Sequence, residues 1–290
     1  DLVEPTQIIG NVNREASDKT GLPQGLPVIV GMGDYPAALL GSGAAPLTEA
    51  CDLTGTSALL TLFDNNPVIH DGIMNVATGD GGWGAFCVVD AAGDSGRWAK
   101  DLLGGGQHSY ADIRNAVGET IPCGNGLTYL PYLTGERLGQ GDRSRGAFLG
   151  LTIGHDAGQI YRSVLEGVAF AMRQAAEPVF ANRPNITGIV AAAGGARNLQ
   201  WLQIKADILE LPITPTAEVE AGLLGCAAIA KVALGDYRNT SEAIAKLVRR
   251  MSPIFPQNAN RDAYQEGYAL FCAARSAVQP INEQISKARI

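Results

Sequence analysis

Three short stretches of this sequence carry residue types suited to holding and acting on a phosphorylated ligand. The first is Gly31-Met32-Gly33-Asp34, at the end of the apolar, β-branched run 27–32. Glycines let a ligand approach the backbone, and a carboxylate here would emerge at the carboxyl end of a strand, where open α/β sheets bind ligands. The competing reading is a helix N-cap, because Pro36 opens a small-residue helix through Gly41. The second is Thr54-Gly55-Thr56-Ser57, between runs 50–54 and 58–63. Its hydroxyls and consecutive N–H groups can cradle a phosphate, or simply close a hairpin. The third is Gly194-Gly195-Ala196-Arg197-Asn198, between the apolar run 186–193 and a helical pattern over 198–211. A glycine pair there suits a nucleotide lying on a helix N-terminus, or a close-packed turn.

The elements that would position these stretches can be read from periodicity. Residues 13–20 form a short helix ended by Gly21 and Pro23, and 27–32 a buried strand. Runs 50–54 and 58–63 form a hairpin, 83–90 a strand, and 95–103 a helix capped by Asp94 or Ser95. Residues 127–133 are extended, and a polar loop covers 134–146. Ile160, Val164, Leu165, Val168 and Met172 mark 156–180 as the strongest helix. A buried strand at 186–193, a short strand at 212–215 and a glycine- and alanine-rich helix at 220–234 follow. The last 50 residues read as amphipathic helix broken at Pro253 and Pro256. Hairpins first and alternation later predict an α/β fold with a mixed sheet and helices on its faces.

Composition removes several function classes. Lys plus Arg is 22 against 29 for Asp plus Glu, so no basic surface is available for nucleic acid. No apolar run reaches the roughly 18 residues of a membrane span, and no secretory signal is visible. Five cysteines, an odd number at long spacings without a CxxC pair, predict reduced, mostly buried thiols and a cytoplasmic protein, with no zinc site. His70, His108 and His155 lack ligand spacing and read as surface or capping residues. There is no GxxxxGK[ST] loop. Gly79, Gly81 and Gly84 match GxGxxG but precede a strand instead of following one, and Gly93-Asp94-Ser95-Gly96 resembles a serine nucleophile segment without a triad around it. At 290 residues the chain holds about two domains or one large one.

Taken together and in order, the stretches VIVGMGDYPAALLGSG (28–43), DLTGTSALL (52–60), YLPYLTGERLGQGDRSRGAFLGL (129–151), HDAGQIYRSVLEGVAFAMRQ (155–174), AAAGGARNLQWLQIKADILELPI (191–213) and EAGLLGCAAIAKVALGDY (220–237) are far more specific than any single glycine motif. The combination resembles the carboxyl-terminal half of the FGGY carbohydrate kinases, over residues 8 to 240, and PYLTGER with RGAFLGL resembles their xylulokinase branch.

The resemblance implies an actin-like ATPase (ribonuclease H-like) domain and ATP-dependent phosphorylation of a ketose, D-xylulose to xylulose 5-phosphate, with ATP and Mg2+ as cofactors. Asp34 matches the family's catalytic base. Gly55, Thr56 and Ser57 match its second phosphate loop. Gly194, Gly195, Ala196 and Asn198 match its adenosine motif, and Glu136 with Arg137 a structural pair. No protein side chain is assigned to metal. After the aspartate the family has Asn or Gln, whereas this chain has Tyr35, a departure that bears on the sugar pocket. The resemblance implies that residues 26–290 form the nucleotide-binding domain and 1–25 a tail of an amino-terminal domain that the sequence, which opens on Asp1, does not include. That domain would carry the first phosphate loop, most sugar contacts and much of the magnesium site. The expected partners are a ketose, the amino-terminal half of the same kinase and a second copy of the chain, with neither nucleic acid nor membrane. The rival class is a non-catalytic nucleotide- or sugar-sensing module of the same superfamily.

Overall fold

A computed structural model describes residues 3–288, apart from 79, 80, 105–108, 110–114, 116, 119, 139–142 and 182–184. His108 and Gly79 therefore lie outside the described residues. The main sheet has six strands: β3 (Glu49–Thr54), β4 (Ala58–Asp64), β5 (Met74–Ala77), β6 (Trp83–Val89), β9 (Gly188–Ala192) and β10 (Ile213–Pro215). Their order is β10-β9-β3-β4-β6-β5. β10, β9 and β3 run parallel, and β3, β4, β6 and β5 are antiparallel. This is the mixed sheet that the hairpin-then-alternation pattern predicted.

Alternation along the strands divides the core in two. Ala50, Leu60, Leu62, Ala85, Cys87 and Ile189 face α4 (Ala157–Phe180), α5 (Leu199–Leu209) and α8 (Arg261–Lys287). Cys51, Leu53, Phe63 and Ala192 face the other way, toward Leu39 of α2 (Asp34–Ser42) and Ala221 of α6 (Ala221–Ala233). Each fully buried Leu, Ile or Val contributes about 1.5–3 kcal/mol by leaving water. α4 starts where its sequence says it should: Asp156 and Gln159 form a reciprocal capping box. α2 and α6 cross with their backbones touching. A Cβ on Gly41 would stand 1.8 Å from the Ala221 carbonyl oxygen, and one on Gly225 would stand 1.9 Å from that of Ala37.

Two expectations need correction. The run 27–32 is not a buried strand of the main sheet. Only Pro27–Ile29 (β2) is extended, paired with β1 (Ile8–Asn11) in a separate ribbon whose Ile9, Val28 and Val30 are exposed. Its β-branched residues form a strand, but Val28 and Val30 stay exposed. Between β1 and β2 lies α1 (Arg14–Thr20), capped by Asn13 and closed by left-handed Gly21. The helix expected at 95–103 begins earlier, at Gly93 (α3, Gly93–Leu103), with neither Asp94 nor Ser95 as its cap. After α7 (Thr240–Leu247), Pro253 and Pro256 lie in an extended segment, where Ile254 exchanges backbone hydrogen bonds with Ile213 at 2.9 and 2.8 Å. β7 (Thr128–Leu130) pairs with β8 (Ala147–Leu149) as a second small ribbon. Among the described residues no helix is long and apolar enough to cross a membrane.

Candidate active site

The β3–β4 hairpin turns through Gly55, Thr56 and Ser57, with the Gly55 N–H donating to the Ser57 carbonyl at 2.8 Å. The Thr56 carbonyl accepts the N–H groups of Ala92 and Asp94 at 3.0 and 3.3 Å. The turn therefore caps α3, which explains why no side chain does. Only glycine fits at 93, since a Cβ there would meet the Gly55 carbonyl oxygen at 2.1 Å. Freed from capping, Asp94 pairs with Arg97, while Ser95 is buried and donates to the Ala91 carbonyl at 2.5 Å.

β9 lies beside β3 with Ala192 opposite Leu53, so the turn after β9 reaches the base of the hairpin. Ala193 adopts φ 65°, a left-handed value that costs a non-glycine residue energy, and Gly194–Arg197 form one 3-10 turn. Asn198 then caps α5, its Oδ1 accepting from the Trp201 N–H at 3.2 Å. The two glycines differ. A Cβ on Gly194 would meet nothing within 4 Å, whereas one on Gly195 would lie 2.7 Å from the Thr54 Cβ and 2.9 Å from the Thr54 carbonyl oxygen. Gly195 is therefore small because β3 passes behind it.

Between hairpin and turn lies a cavity of about 400 Å³. Gly55, Thr56, Gly194, Gly195 and Asn198, all singled out in the sequence, line it. Ser57 and Ala196 do not: Ser57 closes the hairpin and Ala196 is buried in the core. Sequence reasoning gave Arg197 no role of its own and missed Arg97 on the rim and Tyr161, Leu165 and Trp201 along the wall. Backbone N–H groups and guanidinium groups at one end suit an anionic group, and the apolar wall beside them suits a flat, apolar one.

Asp34 is not among these lining residues. It is the first residue of α2, exposed, and its Oδ1 accepts from the Tyr35 N–H at 2.7 Å while Oδ2 has no partner among the described residues. Tyr35 points away from solvent. Its hydroxyl lies 2.5 Å from that of buried Thr61 on β4, and its ring 4.7 Å from that of Phe86. The departure at 35 is thus a peg in the sheet. Glu136 and Arg137 hold elements together: Glu136 accepts from Arg275 on α8 at 2.6 Å, and Arg137 pairs with Asp90 at 3.2 Å. Among the described residues no group of three or more His, Cys, Asp or Glu could hold a metal ion.

The model of the FGGY family of carbohydrate kinases, C-terminal domain, matches residues 53–234. The chain belongs to the FGGY family of carbohydrate kinases. This FGGY domain is 28% identical over 279 residues to a xylulose kinase of Staphylococcus epidermidis, covering 93% of the chain and 55% of that protein. It is also 28% identical over 283 residues to a gluconokinase of Bacillus subtilis, with coverage of 88% and 55%. A crystal structure of ligand-bound xylulose kinase from Lactobacillus acidophilus superposes with a TM-score of 0.89 at 25% identity, covering 98% of this chain and 58% of that one. The actin-like, ribonuclease H-like fold read from the sequence is that of these FGGY kinases. The chain spans about half the length of the curated relatives it matches.

Proposed function

We propose that this FGGY domain supplies the base and the nucleotide wall of a kinase that phosphorylates a ketopentose, D-xylulose, at the expense of ATP. The observation that carries this reading is the cavity shared by the 55–57 hairpin and the 194–198 turn, with α3 and α5 both starting at its edge. The residues present fit ATP: Thr56 offers backbone and hydroxyl to phosphates, Arg197 offers charge, as does Arg97 beside its partner Asp94, and open Gly194 leaves room for the nucleoside. ATP, when bound, supplies the phosphoryl group. Asp34, with one oxygen anchored by the Tyr35 N–H, takes the proton of the attacking sugar hydroxyl through the other. The residues described do not by themselves make a magnesium site.

Xylulose kinases in several bacteria support the ketopentose. Gluconokinase and glycerol kinase also match, so the substrate is decided by assay. The domain division also remains a proposal: residues 26–290 as the nucleotide domain, with the exposed ribbon of β1 and β2 facing an amino-terminal half. In the full-length protein, ADP release is measured with D-xylulose, L-xylulose, gluconate and glycerol, for wild type and Asp34→Asn. D-Xylulose is expected to give the highest kcat/KM, and Asp34→Asn to lower kcat by roughly 10²–10⁴ with the KM for ATP little changed. A variant keeping more than half of wild-type kcat removes Asp34 as the base. ADP binding without turnover on any sugar returns the chain to a sensing module.

A further inference from the structure

Asp52 and Lys205 are charged residues in elements that are otherwise core. Lys205, on α5, is 0% exposed; Asp52 and Thr54, on β3, are each 1% exposed. The Lys205 Nζ donates to Asp52 Oδ2 and to Thr54 Oγ1, both at 2.7 Å, and Thr54 Oγ1 donates to Asp52 Oδ1 at 2.5 Å. The ammonium also sits 4.4 Å from the centroid of the Trp201 ring, so two polar acceptors and one aromatic face surround its three donors.

The place of this cluster matters as much as its closure. Thr54 is the last residue of β3 before the phosphate hairpin, and Gly195 of the adenosine turn packs directly on it. Trp201, the residue under Nζ, lines the cavity and is fixed in turn by its Nε1–H donating to the Leu165 carbonyl at 3.1 Å. One ammonium thus touches both the strand that carries one loop and the helix that follows the other. A buried ion pair of this kind gives little net stability over well-packed apolar side chains, but its directional bonds fix a register that apolar contact does not.

We propose that Lys205 is a positioning residue for nucleotide binding, which holds the 55–57 hairpin at a set distance from the 194–198 turn through Thr54, Asp52 and Trp201. The inference rests on the nucleotide reading of the cavity. Because Lys205 is fully buried and does not line the cavity, it acts only through the two loops.

The test uses the full-length protein, with ADP as the probe. The triple variant Asp52→Leu, Thr54→Val, Lys205→Met replaces the cluster with apolar groups of similar shape and leaves no polar atom of the three unpaired. It is expected to melt within a few degrees of wild type but to bind ADP about 10- to 100-fold more weakly, the scale of a small misplacement of binding groups. Wild-type ADP affinity in the folded triple variant overturns the positioning role. If the triple variant does not fold, Asp52→Asn, which keeps shape and removes charge, takes its place: unchanged ADP affinity overturns the proposal, and weakened affinity at unchanged melting temperature supports it. A wild type that binds no ADP overturns the nucleotide reading and this inference together. A wild type that binds ADP but phosphorylates no sugar overturns the kinase reading alone.

Discussion

Gly194 and Gly195 are neighbours in sequence, yet the structure gives them separable roles, and substitution should split them. At Gly195 an added methyl carbon would sit 2.7 Å from the Thr54 Cβ, 2.8 Å from its Cγ2 and 2.9 Å from its carbonyl oxygen. Two of those three atoms belong to the rigid part of a central strand, so no side-chain rotation relieves the contact. Overpacking of this kind costs about 1–3 kcal/mol. For a chain of 290 residues, that is a fall in Tm of about 2–6 °C. At Gly194 the same carbon meets no atom within 4 Å and the backbone is not left-handed, so Gly194→Val should move the stability by less than about 0.5 kcal/mol. Its side chain projects into the cavity and should weaken ADP binding tenfold or more, about 1.4 kcal/mol. Thermal unfolding with and without ADP, backed by calorimetric titration, reads both quantities on the same samples. Gly194→Val with full ADP affinity, or Gly195→Ala with an unchanged Tm, would refute the division.

Thr56→Ala leaves the backbone cap on α3 intact and removes one hydroxyl at the cavity; steady-state kinetics should show kcat falling roughly 10- to 100-fold with a smaller change in the KM for ATP. Tyr35→Phe strands the buried Thr61 hydroxyl and should cost about 1–3 kcal/mol in denaturant unfolding, with Thr61→Val in the same chain recovering most of it. Burial pushes the thiols of Cys51 and Cys87 up to about 12, so both stay protonated at neutral pH, while Cys226 is exposed. Mass spectrometry after iodoacetamide at pH 7.5 should find Cys226 modified first, with Cys51 and Cys87 untouched until the chain unfolds. Residues 1–290 alone are expected to show no sugar-dependent ADP release, because in-line transfer needs a second wall to the cleft; turnover within tenfold of the full-length protein would refute this.

What could be read from the sequence follows from how local each signal is. The hairpin at 54–58 and the starts of the helices near 156 and 198 are decided by neighbouring residues, and each stands within a residue of where the pattern put it. The run 27–32 misled because β-branched residues announce a strand without saying what covers it. The cap on α3 was unreadable for a related reason: the acceptor is a carbonyl 36 residues away from Ala92, and carbonyls are the same in every residue. At Gly195 the ligand contact and the close-packed turn could not be separated in sequence, because glycine alone does not tell which neighbour demands the space. Lys205 did carry a signal. A lysine between Ile204 and Ala206 on the buried face of a helix, and an aspartate between Cys51 and Leu53 in a core strand, are opposite charges at two places that expect none.

The crossing of α2 and α6 has a mechanical consequence. With carbonyl oxygens of each helix where the other's side chains would be, no layer of side chains separates them to act as a lubricant. Sliding by even one residue would drive a Cβ into a carbonyl, so the two helices translate and rotate only as one body. Asp34 stands at the tip of that body, and the backbone of Gly222 at the start of α6 lies close behind it. Any travel of the Asp34 backbone must therefore be travel of the whole pair, delivered from outside it, with its place relative to α6 preserved throughout.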